Sequence, residues 1–209
     1  IEHSFGVRVS VWTVVAGVAS TGCRWERWTS TLFMEGRSIP KVRPTANGAG
    51  PDAFLRRILA LDLELSPTGL LLKVGAVLNG EILVSHRSDG AKDALAQLAE
   101  WTTRGVAVVG HNLVRHDLHR LRAMLPGHPV LQLPVIDTLS LSPIAFPENP
   151  YHRLIKDHKL VRESVNDPVA DARQSLVVLG DAMRSLAGLR STEPGLFAAL
   201  HHLLGTSDE

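Results

Sequence analysis

The stretch ILALDLELSPTG, residues 58–69, sets the expected fold and chemistry of the chain. It is apolar from Ile58 to Leu65 except for Asp62 and Glu64, and it ends in Ser66, Pro67, Thr68 and Gly69, a turn composition. Successive side chains of a strand alternate between faces, so the two carboxylates at i and i+2 share one side. No basic residue within the run offsets them, and burying unpaired carboxylates is costly. A divalent cation would compensate, since hard Mg²⁺ or Mn²⁺ prefers oxygen ligands. For any one such residue a helix cap or a surface charge is the simpler explanation, so the inference depends on what accompanies the pair.

Two further segments carry acidic residues. VVGHNLVRHDLHRL holds Asp117, and NDPVADARQSL holds Asp171. Working outward, Leu70–Leu78 and Ile82–His86 read as strands joined by Asn79-Gly80, a strong hairpin signal. Ala91–Thr102 reads as a helix with Leu95, Leu98 and Trp101 on its apolar face, Trp101 anchoring a core. Val106–Val109 is a short buried strand and Val114–Leu125 a helix closed by Pro126-Gly127. Val135–Leu139 reads as another strand, with Asp137 in it, and Tyr151–Leu160 as a short basic helix.

Apolar positions 169, 172, 176, 179, 183 and 186 predict a long helix over Val169–Leu186, with Pro168 in its first turn. A last amphipathic helix spans Gly195–Leu204. A strand hairpin followed by alternating helices and strands indicates an α/β fold with a mixed central sheet.

Residues 1–50 form an extension or linker of uncertain structure, and 51–209 form the domain. VRVSVW and TLFM are possible short strands, and Trp12, Trp25 and Trp28 read as packing residues. Three prolines, two glycines and an asparagine mark Pro40–Pro51 as a loop. At 209 residues, 44% apolar and 21% charged, the composition is that of one ordinary soluble domain. The net charge of +1 gives no global footprint of nucleic-acid binding, which must come from local patches.

Arg115, His116, His119, Arg120 and Arg122 form one such patch, and His152, Arg153, Lys156, His158, Lys159 and Arg162 another. Solvated helix faces explain both equally well. The single cysteine, Cys23, excludes an internal disulfide and points to a reducing, cytoplasmic setting. Val9–Ala19 is too short to span a bilayer. The Ser-Thr-Gly-Cys after it resembles a lipoprotein cleavage site, but Ser20 stands where an aliphatic residue is expected. The start at Ile1 suggests a piece of a larger, multidomain protein.

In the order Asp62-x-Glu64, Gly110-His111-Asn112 with Asp117, and Asp171, the chain resembles the DEDD, or DnaQ-like, superfamily of 3′-5′ exonucleases over roughly residues 57–188. The resemblance implies a ribonuclease H-like fold and a two-metal hydrolysis of phosphodiester bonds in single-stranded DNA or RNA. It implies Mg²⁺ or Mn²⁺ held by Asp62, Glu64, Asp117 and Asp171. Asp62 would bridge both ions, Glu64 and Asp171 would hold the ion bearing the attacking water, and Asp117 the second, partly through water. Leu65, Ser66, His111 and Asn112 would meet substrate; core packing explains Leu65 as well.

The sequence departs from the family at one position. Asn166 stands where the histidine subgroup has the base of His-x₄-Asp, and Asp167 where the tyrosine subgroup has tyrosine. An amide is not basic. Three readings remain. The metal alone acidifies the water while Asn166 orients it; another base, His158 or His152, reaches in, with His116 and His119 nearer Asp117; or the domain binds nucleic acid without turnover. In the last case it would be an appendage of a repair or helicase protein. A metal-dependent endonuclease or transposase on the same fold is a more distant alternative.

Overall fold

In the computed structural model, residues 51–85, 90–152 and 167–205 are described. Asn166, His158, the two possible strands before residue 50 and all but the first two residues of the expected basic helix lie outside them. Tyr151 and His152 take no regular structure.

The segment ILALDLEL forms β1, Ile58–Leu65, as its alternation predicts. It follows a short helix α1, Pro51–Leu55, whose first residue had read as the end of a loop. β2 (Leu71–Leu78) and β3 (Glu81–Ser85) follow. Asn79 and Gly80 between them both take positive φ (51° and 83°), the left-handed pair that a tight hairpin turn requires. Next come α2 (Ala91–Trp101), β4 (Ala107–Gly110), α3 (Asp117–Met124) and a 3₁₀ turn at Pro129–Gln132. The chain then forms β5 (Val135–Asp137), α4 (Thr138–Ala145), α5 (Pro168–Thr192) and α6 (Pro194–Gly205).

The five strands form one mixed sheet in the order β3-β2-β1-β4-β5. β1 pairs antiparallel with β2 and parallel with β4, while β4 pairs parallel with β5. The α/β class with a mixed sheet is therefore as expected. β4 is buried at every residue, as a parallel strand covered on both faces should be.

Helices cover both faces. On one, Leu59, Leu61 and Leu63 of β1 pack with Leu95 and Leu98 of α2 and Leu118 and Leu121 of α3. Trp101 packs at the margin of this cluster, half-buried, close to its expected role. On the other, Ile58 and Ala60 pack with Leu141 of α4, Phe197 of α6 and the apolar stripe of α5. Each fully buried leucine contributes roughly 1.5–3 kcal/mol relative to exposure.

Two expectations need correction. Val135–Leu139 is not one strand. The strand stops at Asp137, whose side chain accepts the Leu139 N–H and so begins α4. An apolar run that crosses a strand-to-helix junction carries no period to betray the change. The long helix is longer than its stripe indicated, 25 residues through Thr192. Its N-cap is Asp167, which accepts the N–H groups of Val169 and Ala170. This carboxylate thus serves as a helix cap. No helix among the described residues is long and apolar enough to cross a membrane.

Candidate metal centre

β1 outruns its parallel neighbour. Pairing with β4 extends only to Ala60↔Val109, while pairing with β2 continues to Leu65↔Leu71. The C-terminal half of β1 therefore borders a notch at the carboxyl ends of β4 and β5, where open α/β sheets place their ligands. Asp62 and Glu64 lie on this half, on the face covered by α5, because Ile58 and Ala60 of the same alternation belong to that face.

α5 seats closely on β2. Gly75 is the β2 partner of Asp62, and a Cβ on it would lie 2.3 Å from the Pro168 carbonyl carbon and 2.5 Å from the Val169 nitrogen. Only a glycine allows the first turn of the helix this near the sheet. Asp171, in the same turn, thereby meets the β1 pair. Carboxylate oxygens of Asp62, Glu64 and Asp171 lie within 4.8 Å of one another, all three side chains half-buried.

These three fit a small hard cation. Around an octahedral ion with bonds of about 2.0–2.1 Å, ligand oxygens stand roughly 3–4 Å apart, within the reach of this cluster after slight closure. The sequence offered no counter-charge within the β1 run, but the register supplies one. Lys73 of β2 stands directly opposite Glu64, on the same face. That partner is invisible until the strand register is known.

Asp117 does not join the three. It is 2% exposed, and its Oδ1 accepts the Leu63 N–H at 2.9 Å, the β1 donor left over where β4 has ended. Burial pushes its carboxyl up to about 6, against the opposing pull of the Leu63 hydrogen bond and of His116, whose Nδ1 lies 3.6 Å away. Of the four expected ligands, three converge and the fourth braces the strand that carries two of them.

The Gly-His-Asn segment forms the far wall of the notch. Gly110 passes Leu61 so closely that a Cβ there would lie 2.7 Å from the Leu61 carbonyl oxygen. Asn112 takes a left-handed conformation (φ 61°), which asparagine tolerates better than most residues. Asp137 holds this loop. Its carboxylate accepts N–H groups from Asn112 (2.9 Å), Val114 (3.0 Å) and Leu139 (3.0 Å). Its signal in the sequence was an Asp ending an apolar run before Thr138, an N-cap pattern.

His111 faces the same region. The Thr138 hydroxyl donates to the Gly110 carbonyl at 3.1 Å, so it must accept from Nδ1–H of His111, 3.0 Å away. This fixes the neutral tautomer with its lone pair on Nε2. Desolvation lowers the His111 pKa, opposed by the nearby charges of Asp137 and Asp171.

The turn after Glu64 builds itself. Ser66 Oγ accepts the Leu70 N–H at 2.9 Å and pairs with Thr68 Oγ1 at 2.8 Å, and Gly69 takes φ 83°. Leu65 packs at the margin of the α2/α3-side core, the plainer of its two readings, while Leu70 is 60% exposed. From α3, the Arg120 guanidinium comes within 3.5 Å of where a Gly69 side chain would begin. Arg115, His116, His119 and Arg120 are exposed, and Arg122 is half-buried. Compared with protein-family models, with curated proteins and with solved structures, the chain matches none.

Proposed function

We infer that the protein is a metal-dependent 3′-5′ exonuclease of single-stranded DNA or RNA, on a ribonuclease H-like version of its mixed sheet. The observation that carries this reading is the convergence of Asp171 with Asp62 and Glu64, more than a hundred residues earlier in the chain, at the carboxyl edge of the sheet. Three carboxylates within reach of one another offer the oxygen ligands that a hard divalent cation prefers. Asp62, Glu64 and Asp171 would hold Mg²⁺ or Mn²⁺, which when bound acidifies a water and stabilises a leaving oxygen.

The chain's own groups complete the site. Lys73, opposite Glu64, and Arg120, beside the turn that follows β1, would supply positive charge for phosphates. Nε2 of His111 offers a lone pair in the neighbourhood of Asp171. Asp137 keeps that imidazole and Asn112 in place through the loop backbone. The polarity of digestion and the expectation of a second ion rest on the resemblance to the DEDD superfamily.

A second reading, a nucleic-acid-binding module with little or no turnover, draws on Asp117. With that carboxylate committed to Leu63, a second ion would have only a partial ligand set. One experiment separates the two. The protein is incubated with Mg²⁺ or Mn²⁺ and 5′-labelled single strands of DNA and RNA, beside an Asp62→Ala control. A ladder that Asp62→Ala abolishes supports the exonuclease. Salt-sensitive binding without a ladder, on either nucleic acid and with either metal, overturns it in favour of the module. Asn166→His then asks whether the missing imidazole limits the rate, which would rise if it does.

A further inference from the structure

We propose that the cleft formed by Arg56, Arg57, Arg104 and the Leu78-Asn79 corner is a phosphate-binding site. It lies at the opposite end of β1 from the acidic cluster. From Arg57 to Asp62 is five residues along the strand, about 17 Å at strand rise. A phosphate held in the cleft is therefore not one that the acidic cluster could hold as well.

Three segments meet there. Arg56 and Arg57 occupy the junction between α1 and β1, and the Arg57 carbonyl accepts the Val106 N–H at 2.9 Å, pinning this junction to the start of β4. Arg104 comes from the turn after α2. Its guanidinium donates to both carboxylate oxygens of Glu81, at 2.8 and 3.0 Å, and lies 5.4 Å from the centroid of the Trp101 ring. The hairpin between β2 and β3 closes the third side.

The charge balance points to an anion. Glu81 neutralises Arg104 and fixes its direction, whereas no carboxylate among the described residues pairs with Arg56 or Arg57. Two arginines without a carboxylate partner thus line a cleft of about 220 Å³. This is smaller than the roughly 300–1,000 Å³ of sites for drug-sized ligands. It has room for a phosphate or a pyrophosphate. Guanidinium forks match phosphate oxygens in charge and geometry, and two of them balance a dianion. The phosphate could belong to a small phosphate compound or to a nucleic-acid backbone.

The test uses the full chain in EDTA, which removes any contribution from metal at the acidic cluster. Pyrophosphate is titrated while the melting temperature and the heat of binding are followed, and a fluorescent single-stranded oligonucleotide is titrated in parallel. Pyrophosphate at a hundredfold excess over Kd should raise the melting temperature by about 5–10 °C. Arg56→Gln/Arg57→Gln should weaken its binding at least tenfold.

If the source is a nucleic-acid backbone, the oligonucleotide binds, pyrophosphate displaces it, and the double variant reduces the log–log salt slope by about 1.4. Pyrophosphate binding alone identifies a small phosphate compound. No binding of either probe, or equal binding by the double variant, overturns the proposal. The single variants, each expected to weaken binding about threefold, serve the same purpose should the double variant not fold. None of these outcomes depends on nuclease activity.

Discussion

Gly75→Ala tests the placement on which the acidic cluster depends. A methyl group at this position would begin 2.3 Å from the Pro168 carbonyl carbon, whereas ordinary contacts are 3.4–4 Å. The opposing atoms are helix backbone, which cannot swing aside as a side chain can. The first turn of α5 must therefore lift by about 1 Å, and overpacking of this kind costs roughly 1–3 kcal/mol, here toward the upper end.

For a chain of this length, 2–3 kcal/mol lowers the melting temperature by about 4–12 °C. The same displacement carries Asp171 away from Asp62 and Glu64. A misplacement of 1 Å can cost about a hundredfold in rate, and the affinity for Mn²⁺ should fall with it. The assay pairs a thermal melt in EDTA with Mn²⁺ titration by calorimetry. A variant that melts within 1–2 °C of the parent and binds Mn²⁺ equally well would refute the reasoning, because α5 could not then be seated on β2 as described.

Three further outcomes follow from the site. The raised carboxyl of Asp117 favours the protonated form in the folded state, so its contribution to stability is full below about 4 and lost as pH rises toward 6. In EDTA, Asp117→Asn should flatten the melting-temperature profile across that window by the equivalent of about 2–3 kcal/mol; an unchanged profile would remove Asp117 as its source. Asp137→Ala leaves two loop N–H groups and one in the first turn of α4 without their acceptor and should cost on the order of 3–5 kcal/mol in guanidinium unfolding, Asp137→Asn less. Lys73→Met removes a positive charge facing Glu64 and should tighten Mn²⁺ binding several-fold by calorimetry; equal affinity would place the ammonium outside the field of the cluster.

Much of the fold could be read directly from residue patterns. β1, the Asn-Gly hairpin and the Pro168-led helix each carry a local signal: alternation, a positive-φ pair, a stripe with an N-terminal proline. α4 was missed because its signal was the cap of Asp137, buried within an apolar run. For the candidate site, the composition of Asp62, Glu64 and Asp171 was legible, but their distances were not. Those depend on Gly75, a residue without a side chain to advertise its importance. Lys73 was hidden for a related reason, since cross-strand neighbours exist only once a register is chosen. Asp117 looked the same in sequence as the other three, and its commitment to Leu63 follows from where β4 happens to end.

α5 joins two duties in a single rod. Its first turn brings Asp171 to the carboxylate pair, and the rest of its 25 residues closes the core over β1, β2 and β4. A helix of that length spans about 37 Å and moves as a stiff lever. An ion drawing Asp171 inward would therefore tighten the whole rod, so occupancy at one end should be audible at the other, as slower amide exchange around Leu186.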